Sequence, residues 1–170
     1  AWQSLANGRI YVRNIADGLA AADPAHAAAY RKNAGMYLGR IGETEGWVRK
    51  MLGSVPKAER KIITSHDAFG YFGDAYGLTL LSPQGLSTEA EASARDVGAL
   101  IRQIKAEGIK ALFVENMTDP RLVENIAKET GAKPGGELYA DALSGPEGPA
   151  PTYLDMFRHN VTVLVKALRP

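Results

Sequence analysis

The sequence predicts an α/β fold: a mostly parallel four-stranded sheet flanked by helices and preceded by a long linker helix. Three observations carry this. From about residue 60 onward, short apolar runs alternate with segments of helical periodicity, the pattern of βαβ units. The helical segments between those runs close on Gly77, Gly108 and Gly131, the residue type that ends helices in the left-handed conformation. Upstream of residue 56, apolar residues from Tyr30 to Leu52 recur at three- and four-residue spacing, which is helical.

Taken in order, Ile10, Tyr11, Val12, Ile15 and Leu19 predict a first helix over about 4–21. Asp23-Pro24 predicts the start of a second, because Asp can cap free amides and Pro is tolerated at the first helical position. Tyr30, Ala34, Tyr37, Leu38, Ile41, Val48 and Leu52 carry that helix to about residue 53, where Pro56 ends it. Gly35, Gly39, Gly42 and Gly46 lie inside it and leave room for a bend. Lys61 to Ser65 reads as a buried strand, Ala68 to Tyr76 as a helix, and Leu78 to Leu81 as a second strand. A polar loop, Ser82 to Ala92, precedes a helix over about 94–107 that Ser93 and Asp96 open as a capping box. Ala111 to Glu115 is the third strand, Asp119-Pro120 starts another helix, and Glu137 to Ala140 is a weaker fourth strand. Residues 144–151 form a Gly/Pro loop, after which Thr152 caps a terminal helix to about Leu168.

Composition narrows the function classes. The chain has 170 residues, 45% hydrophobic and 23% charged, ordinary for one globular domain with an attached element. Its net charge of +1 creates no field for nucleic acid or an anionic surface, and basic residues do not interleave with aromatics as a nucleic-acid platform requires. The absence of cysteine excludes disulfides, thiolate metal sites and a cysteine nucleophile. No Gly-x-Gly-x-x-Gly, phosphate-loop lysine or nucleophile-elbow motif is present, and Gly70-Tyr71-Phe72-Gly73 is none of these. The chain opens on Ala1-Trp2-Gln3 without an initiator methionine, which reads as a processed or truncated product.

In parallel sheets ligands bind beyond the carboxyl ends of the strands. The polar residues expected there are Ser65, His66 and Asp67 after the first strand, Gln84 after the second, Glu115 and Asn116 after the third, and Asp141 after the fourth. His66 and Asp141 stand out, since imidazole and carboxylate together suit first-row divalent ions. Two donors do not close a tetrahedral site, and the plain alternative is a residue leading into a helix and a turn residue. Glu115 could be a ligand, an acceptor orienting an imidazole, or a loop residue. Asp67 is expected to cap the helix that follows. His26 reads as a surface residue, His159 as a packing or surface residue, and Trp2 and Trp47 as packing residues.

Four ordered motifs carry a family resemblance. Thr64-Ser65-His66-Asp67-Ala68-Phe69-Gly70-Tyr71-Phe72 with Ala75-Tyr76-Gly77-Leu78 resembles the C-lobe ligand motif of the zinc/manganese solute-binding proteins of ABC importers. Leu112 to Asn116 followed by Asp119-Pro120-Arg121, then Leu138 to Leu143, then Tyr153 to Met156 with His159-Asn160-Val161, are similar to that family's next three motifs. Asp23-Pro24 with Tyr30 and Asn33 resembles the start of its long linker helix. The resemblance implies a periplasmic or otherwise extracytoplasmic binding protein, not an enzyme, that serves a membrane permease. It implies two α/β lobes joined by a helix, with one ion held between them by two side chains from each lobe. His66 and Asp141 would be this lobe's pair and Glu115 a supporting residue. The imidazole at position 66, where manganese members commonly carry Glu, favours Zn2+ over Mn2+.

On that resemblance residues 1–22 are a remnant of the N-terminal lobe, residues 23–56 the linker and residues 57–170 the C-terminal lobe. The family's other histidine precedes a tryptophan in an Asp-Pro-His segment, whereas Trp2 is preceded only by Ala1. The chain is therefore expected to bind zinc far more weakly than an intact protein, and to self-associate through its exposed N-terminal helix. Two competing readings are a metal-dependent hydrolase using His66, Glu115 and Asp141, and a doubly wound module for protein contacts without metal.

Overall fold

The computed structural model describes residues 1–82, 93–109, 111–117 and 119–169. Gln84 and most of the Ser82 to Ala92 loop lie outside the described residues. The chain runs α1 (Leu5–Ala22), a 3-10 turn (Pro24–His26), α2 (Ala27–Gly53), β1 (Lys61–Ile63), α3 (Gly70–Tyr76), β2 (Thr79–Leu81), α4 (Ala94–Glu107), β3 (Ala111–Glu115), α5 (Arg121–Thr130), β4 (Lys133–Leu138) and α6 (Tyr153–Leu168). The four strands form one sheet of order β2-β1-β3-β4, and every pairing is parallel, so the sheet is more uniform than "mostly parallel". None of the described helices is long and apolar enough to cross a membrane.

Period-two alternation in the strands assigns the two layers. Ile62, Ala111, Phe113 and Leu138 join the core built with α2, α3 and α6, including Val48, Phe72, Phe157, Val161 and Leu164. Their strand neighbours Ile63 and Leu112 point the other way, into a second cluster with Leu100 and Ile104 of α4 and Val123 and Ile126 of α5. Helix α2 spans about 40 Å at 1.5 Å per residue and continues as α-helix through Gly35, Gly39, Gly42 and Gly46. It buries Ile41, Thr44, Val48 and Leu52, all in its second half.

Three local expectations change. Asp23 makes no capping bond. Because Pro24–His26 winds as a 3-10 turn, α2 begins only at Ala27, and the Asp23 carboxylate instead accepts from the Tyr30 hydroxyl at 2.8 Å and pairs with His26 Nδ1 at 2.8 Å. Asp67 does not cap α3, which starts at Gly70 behind an N-cap at Phe69. Finally, β4 begins at Lys133, upstream of the expected Glu137. Its register skips a residue, pairing Leu112 with Pro134 and Phe113 with Gly136. Gly135 is the extra residue: a β-carbon there would lie 2.6 Å from Cζ of the Phe113 ring, and Gly136 takes φ +124°. Pro-Gly-Gly thus reads as a chain breaker but forms a bulge, tolerated because β4 is an edge strand.

The other helix ends follow the sequence. Ser93 Oγ accepts from the Asp96 amide and Thr152 Oγ1 from the Asp155 amide. Gly77, Gly108 and Gly131 occupy the left-handed region at φ +74°, +63° and +75°.

Candidate metal centre

Strand order determines where a site can form. Leaving β1, the chain passes first to β2 on one side and then to β3 on the other, so the sheet's switch point lies between β1 and β3. His66 follows β1 and Glu115 ends β3, which places both at that crevice; Asp141 follows β4, next to β3. The structure brings all three together although His66 and Asp141 are 75 residues apart.

Glu115 and His66 are almost fully buried, with 1% and 4% of their side chains exposed, while Asp141 is 40% exposed and faces the opening. Glu115 Oε1 accepts the backbone amides of Ser65 at 2.8 Å and His66 at 3.1 Å. Its other oxygen, Oε2, is in close contact with His66 Nδ1. Burial pushes the Glu115 carboxyl up from its ordinary value, opposed by the amides and ring of His66 and the amide of Ser65. On the far side of the imidazole, Nε2 lies 3.1 Å from Asp141 Oδ2. With Nδ1 donating to Glu115, Nε2 is left to present a lone pair beside a carboxylate.

Ahead of this pair opens a cavity of about 330 Å³, lined by Ala1, Trp2, His66, Asp67, Ala68, Gly70, Tyr71, Asp74 and Asp141. Glu115 is absent from that lining and is turned to the Ser65 and His66 amides and to Nδ1. Among the described residues no third His, Asp or Glu joins His66 and Asp141 as a ligand cluster. Asp67 is exposed and forms part of the rim. Asn116 stands beside the site, with Oδ1 buried and unpaired among the described residues.

His26 is exposed and bonded to Asp23, remote from this cavity. His159 packs edge-on against Tyr139 and contacts the Glu137 carbonyl at 3.0 Å. Trp47 packs under Arg158. Trp2 does more than pack: its indole N–H donates to the Ala140 carbonyl at 2.9 Å and its residue walls the cavity. Tyr71 and Asp74, three residues apart on α3, also face it, a spacing visible in the sequence.

An open parallel sheet with an imidazole and two carboxylates converging beyond its strand ends, carried behind a long helix, has the architecture of a ligand-binding α/β protein. Residues 1–167 match the family model described as zinc-uptake complex component A, periplasmic, and the chain belongs to that family. The manganese-binding lipoprotein MntA of Bacillus subtilis (strain 168) is 39% identical over 151 residues, covering 86% of this chain and 49% of MntA. The iron ABC transporter substrate-binding lipoprotein MtsA of Streptococcus pyogenes serotype M1 is 30% identical over 168 residues, covering 99% of this chain and 54% of MtsA. The periplasmic zinc-binding protein TroA of Treponema pallidum superposes with a TM-score of 0.95 at 29% identity, over 99% of this chain and 63% of TroA. The chain therefore spans about half the length of the curated relatives it matches. These relatives are binding proteins rather than enzymes, which sets the hydrolase reading aside.

Proposed function

We propose that this chain is the C-terminal lobe and linker helix of an extracytoplasmic protein that binds a divalent ion, zinc in the first place, and hands it to the membrane permease of an ABC importer. His66 Nε2 and Asp141 Oδ2 are the two donors of this lobe, and Glu115 orients the imidazole. The remaining donors belong to a second lobe across the cavity, with residues 1–22 its last helix.

The observation that carries the reading is the 3.1 Å separation of the two donor atoms. Two ligands at about 2.0–2.1 Å from a tetrahedral zinc ion stand roughly 3.3 Å apart, so the pair is already spaced to chelate one ion. The carboxylate on Nδ1 supports the same reading, because metal-binding histidines as a rule donate their other ring N–H to such a partner. An imidazole donor favours zinc over harder ions. Manganese is the second reading, favoured by the 39% identity to a manganese-binding lipoprotein.

Calorimetric titration of the 170-residue chain with Zn2+ and Mn2+, alongside His66→Ala and Asp141→Ala, tests this. The expected outcome is one weak zinc site that either substitution removes. Unchanged zinc affinity in His66→Ala overturns the assignment.

A further inference from the structure

Asp141 is 40% exposed, and among the described residues its carboxylate has one close polar neighbour, the His66 ring, with Oδ2 3.1 Å from Nε2. Its position is therefore set by the backbone that carries it. That backbone leaves β4 at Leu138, and the next two residues are gripped from both sides. Asn160 of α6 engages both polar groups of Tyr139: Oδ1 accepts the Tyr139 amide at 2.9 Å and Nδ2 donates to the Tyr139 carbonyl at 2.8 Å. From the segment before α1, Gln3 Nε2 donates to the Ala140 carbonyl at 3.1 Å and reaches the Tyr139 carbonyl at 3.4 Å. The Trp2 indole donates to the same Ala140 carbonyl.

Both amide side chains are 1% exposed. Asn160 is the one polar residue among the eight that α6 buries, the others being apolar, Leu154, Phe157, Val161 and Leu164 among them. Gln3 leaves Oε1 unpaired among the described residues. Flipping the Gln3 amide would set that oxygen against two carbonyl oxygens, so the donors must face the loop. A buried amide with an unsatisfied oxygen is a poor choice for packing alone, since desolvating a polar atom is unfavourable. Its donor bonds to the Asp141 loop account for it.

We propose that Asn160 and Gln3 are positioning residues of the metal centre: they clamp Tyr139 and Ala140 and so hold the Asp141 carboxylate against His66. The proposal rests on the assignment of His66 and Asp141 as ligands. It also joins the segment before α1 to the ligand loop, so displacing Gln3 displaces a donor.

The test uses Asn160→Asp, which keeps the acceptor for the Tyr139 amide but loses the donor, together with Asn160→Ala and the near-isosteric Gln3→Met. Ile126→Val, on the opposite face of the sheet, is the control for destabilisation alone. Three quantities are read for every variant: the thermal midpoint and, well below it, the NMR shift of the His66 ring in the metal-free chain and zinc affinity by calorimetry. The expected result is a moved His66 signal and a zinc affinity lowered about tenfold or more in Asn160→Ala and Gln3→Met, with Asn160→Asp between them and the parent. Ile126→Val lowers the midpoint and leaves the other two unchanged. A merely structural role predicts that all variants behave like Ile126→Val, and that result overturns the proposal. If His66→Ala leaves zinc binding intact, the ligand assignment fails instead, and the metal-free His66 signal still decides whether the clamp positions that loop.

Discussion

Glu115 holds His66 at two places at once, through the His66 backbone amide and through Nδ1 of its ring. One buried carboxylate thereby fixes where β1 ends, which way the imidazole points and which ring nitrogen faces the cavity. Replacing Glu115 with Gln tests the last of these separately. A Gln oxygen can still accept the Ser65 and His66 amides, but its NH2 must then face Nδ1, making Nδ1 an acceptor and moving the ring proton to Nε2. Glu115→Gln is expected to remain folded by circular dichroism and to lose roughly 10–100-fold in zinc affinity by calorimetry. Parent-like affinity would show that the carboxylate does not determine the metal-binding nitrogen.

Zinc itself should stabilise the chain by mass action. At a free concentration about 100-fold above the dissociation constant the gain is about 2.7 kcal/mol, seen as a raised thermal midpoint that His66→Ala abolishes. With two donors from this chain the affinity should fall orders of magnitude short of a closed four-ligand site. Nanomolar binding by the monomeric 170-residue chain would contradict the two-donor account.

Two glycines make opposite predictions for the same substitution. A β-carbon on Gly73 would lie 2.7 Å from the Leu78 carbonyl and press on Leu80, so Gly73→Ala forces α3 away from β2 at about 1–3 kcal/mol. Gly35, inside α2, has nothing within 4 Å of such a β-carbon, and Gly35→Ala should stabilise by up to about 1 kcal/mol. Urea denaturation of the two variants checks both signs.

The corner between α1 and α2 has a pH signature. Hydrogen bonds from Tyr30 and then His26 hold the Asp23 carboxyl below its ordinary value. A carboxyl lowered in the folded state contributes stability above its unfolded value, and that contribution is lost as pH falls through the folded value. Asp23→Asn should therefore lower the thermal midpoint near pH 6, and its difference from the parent should shrink below about pH 4. A difference independent of pH would assign the effect to something other than the charge.

The outer face of α1 presents Ile10, Tyr11, Ile15 and Leu19, each 43% exposed or more. Ile15 and Leu19 also border a cavity of about 280 Å³ with Tyr30 and Tyr37 of α2. Concentration-dependent self-association is expected by light scattering, weakened in Ile15→Lys. A monomer at millimolar concentration counts against it.

The layers were legible because each strand alternates: Ile62 and Ile63 go to opposite faces, as do Leu112 and Phe113. Helix ends were legible wherever one residue does the work alone, as Gly77, Gly108, Ser93 and Thr152 do. The start of β4 was hidden because Pro134-Gly135-Gly136 carries the composition of a turn, and only pairing with Phe113 reveals a bulge. His66 and Asp141 could be singled out by residue type at strand ends. Glu115 could not be assigned among its three readings, since its role depends on which neighbour each oxygen meets. Gln3 left no signal and Asn160 only its place in a family-like motif with no role attached, because they bond to backbone carbonyls and an amide up to 137 positions away, and such bonds impose no sequence pattern.

The distance along the chain between His66 and Asp141 has a consequence for when an ion can be captured. Their strands are not neighbours; β3 lies between β1 and β4. The proposed ligand pair therefore comes together only after three strands have docked in register, a long-range event that belongs late in folding. On the proposed assignment, a chain still emerging or partly collapsed offers an ion isolated donors and no bite, so ion binding becomes a readout of completed assembly.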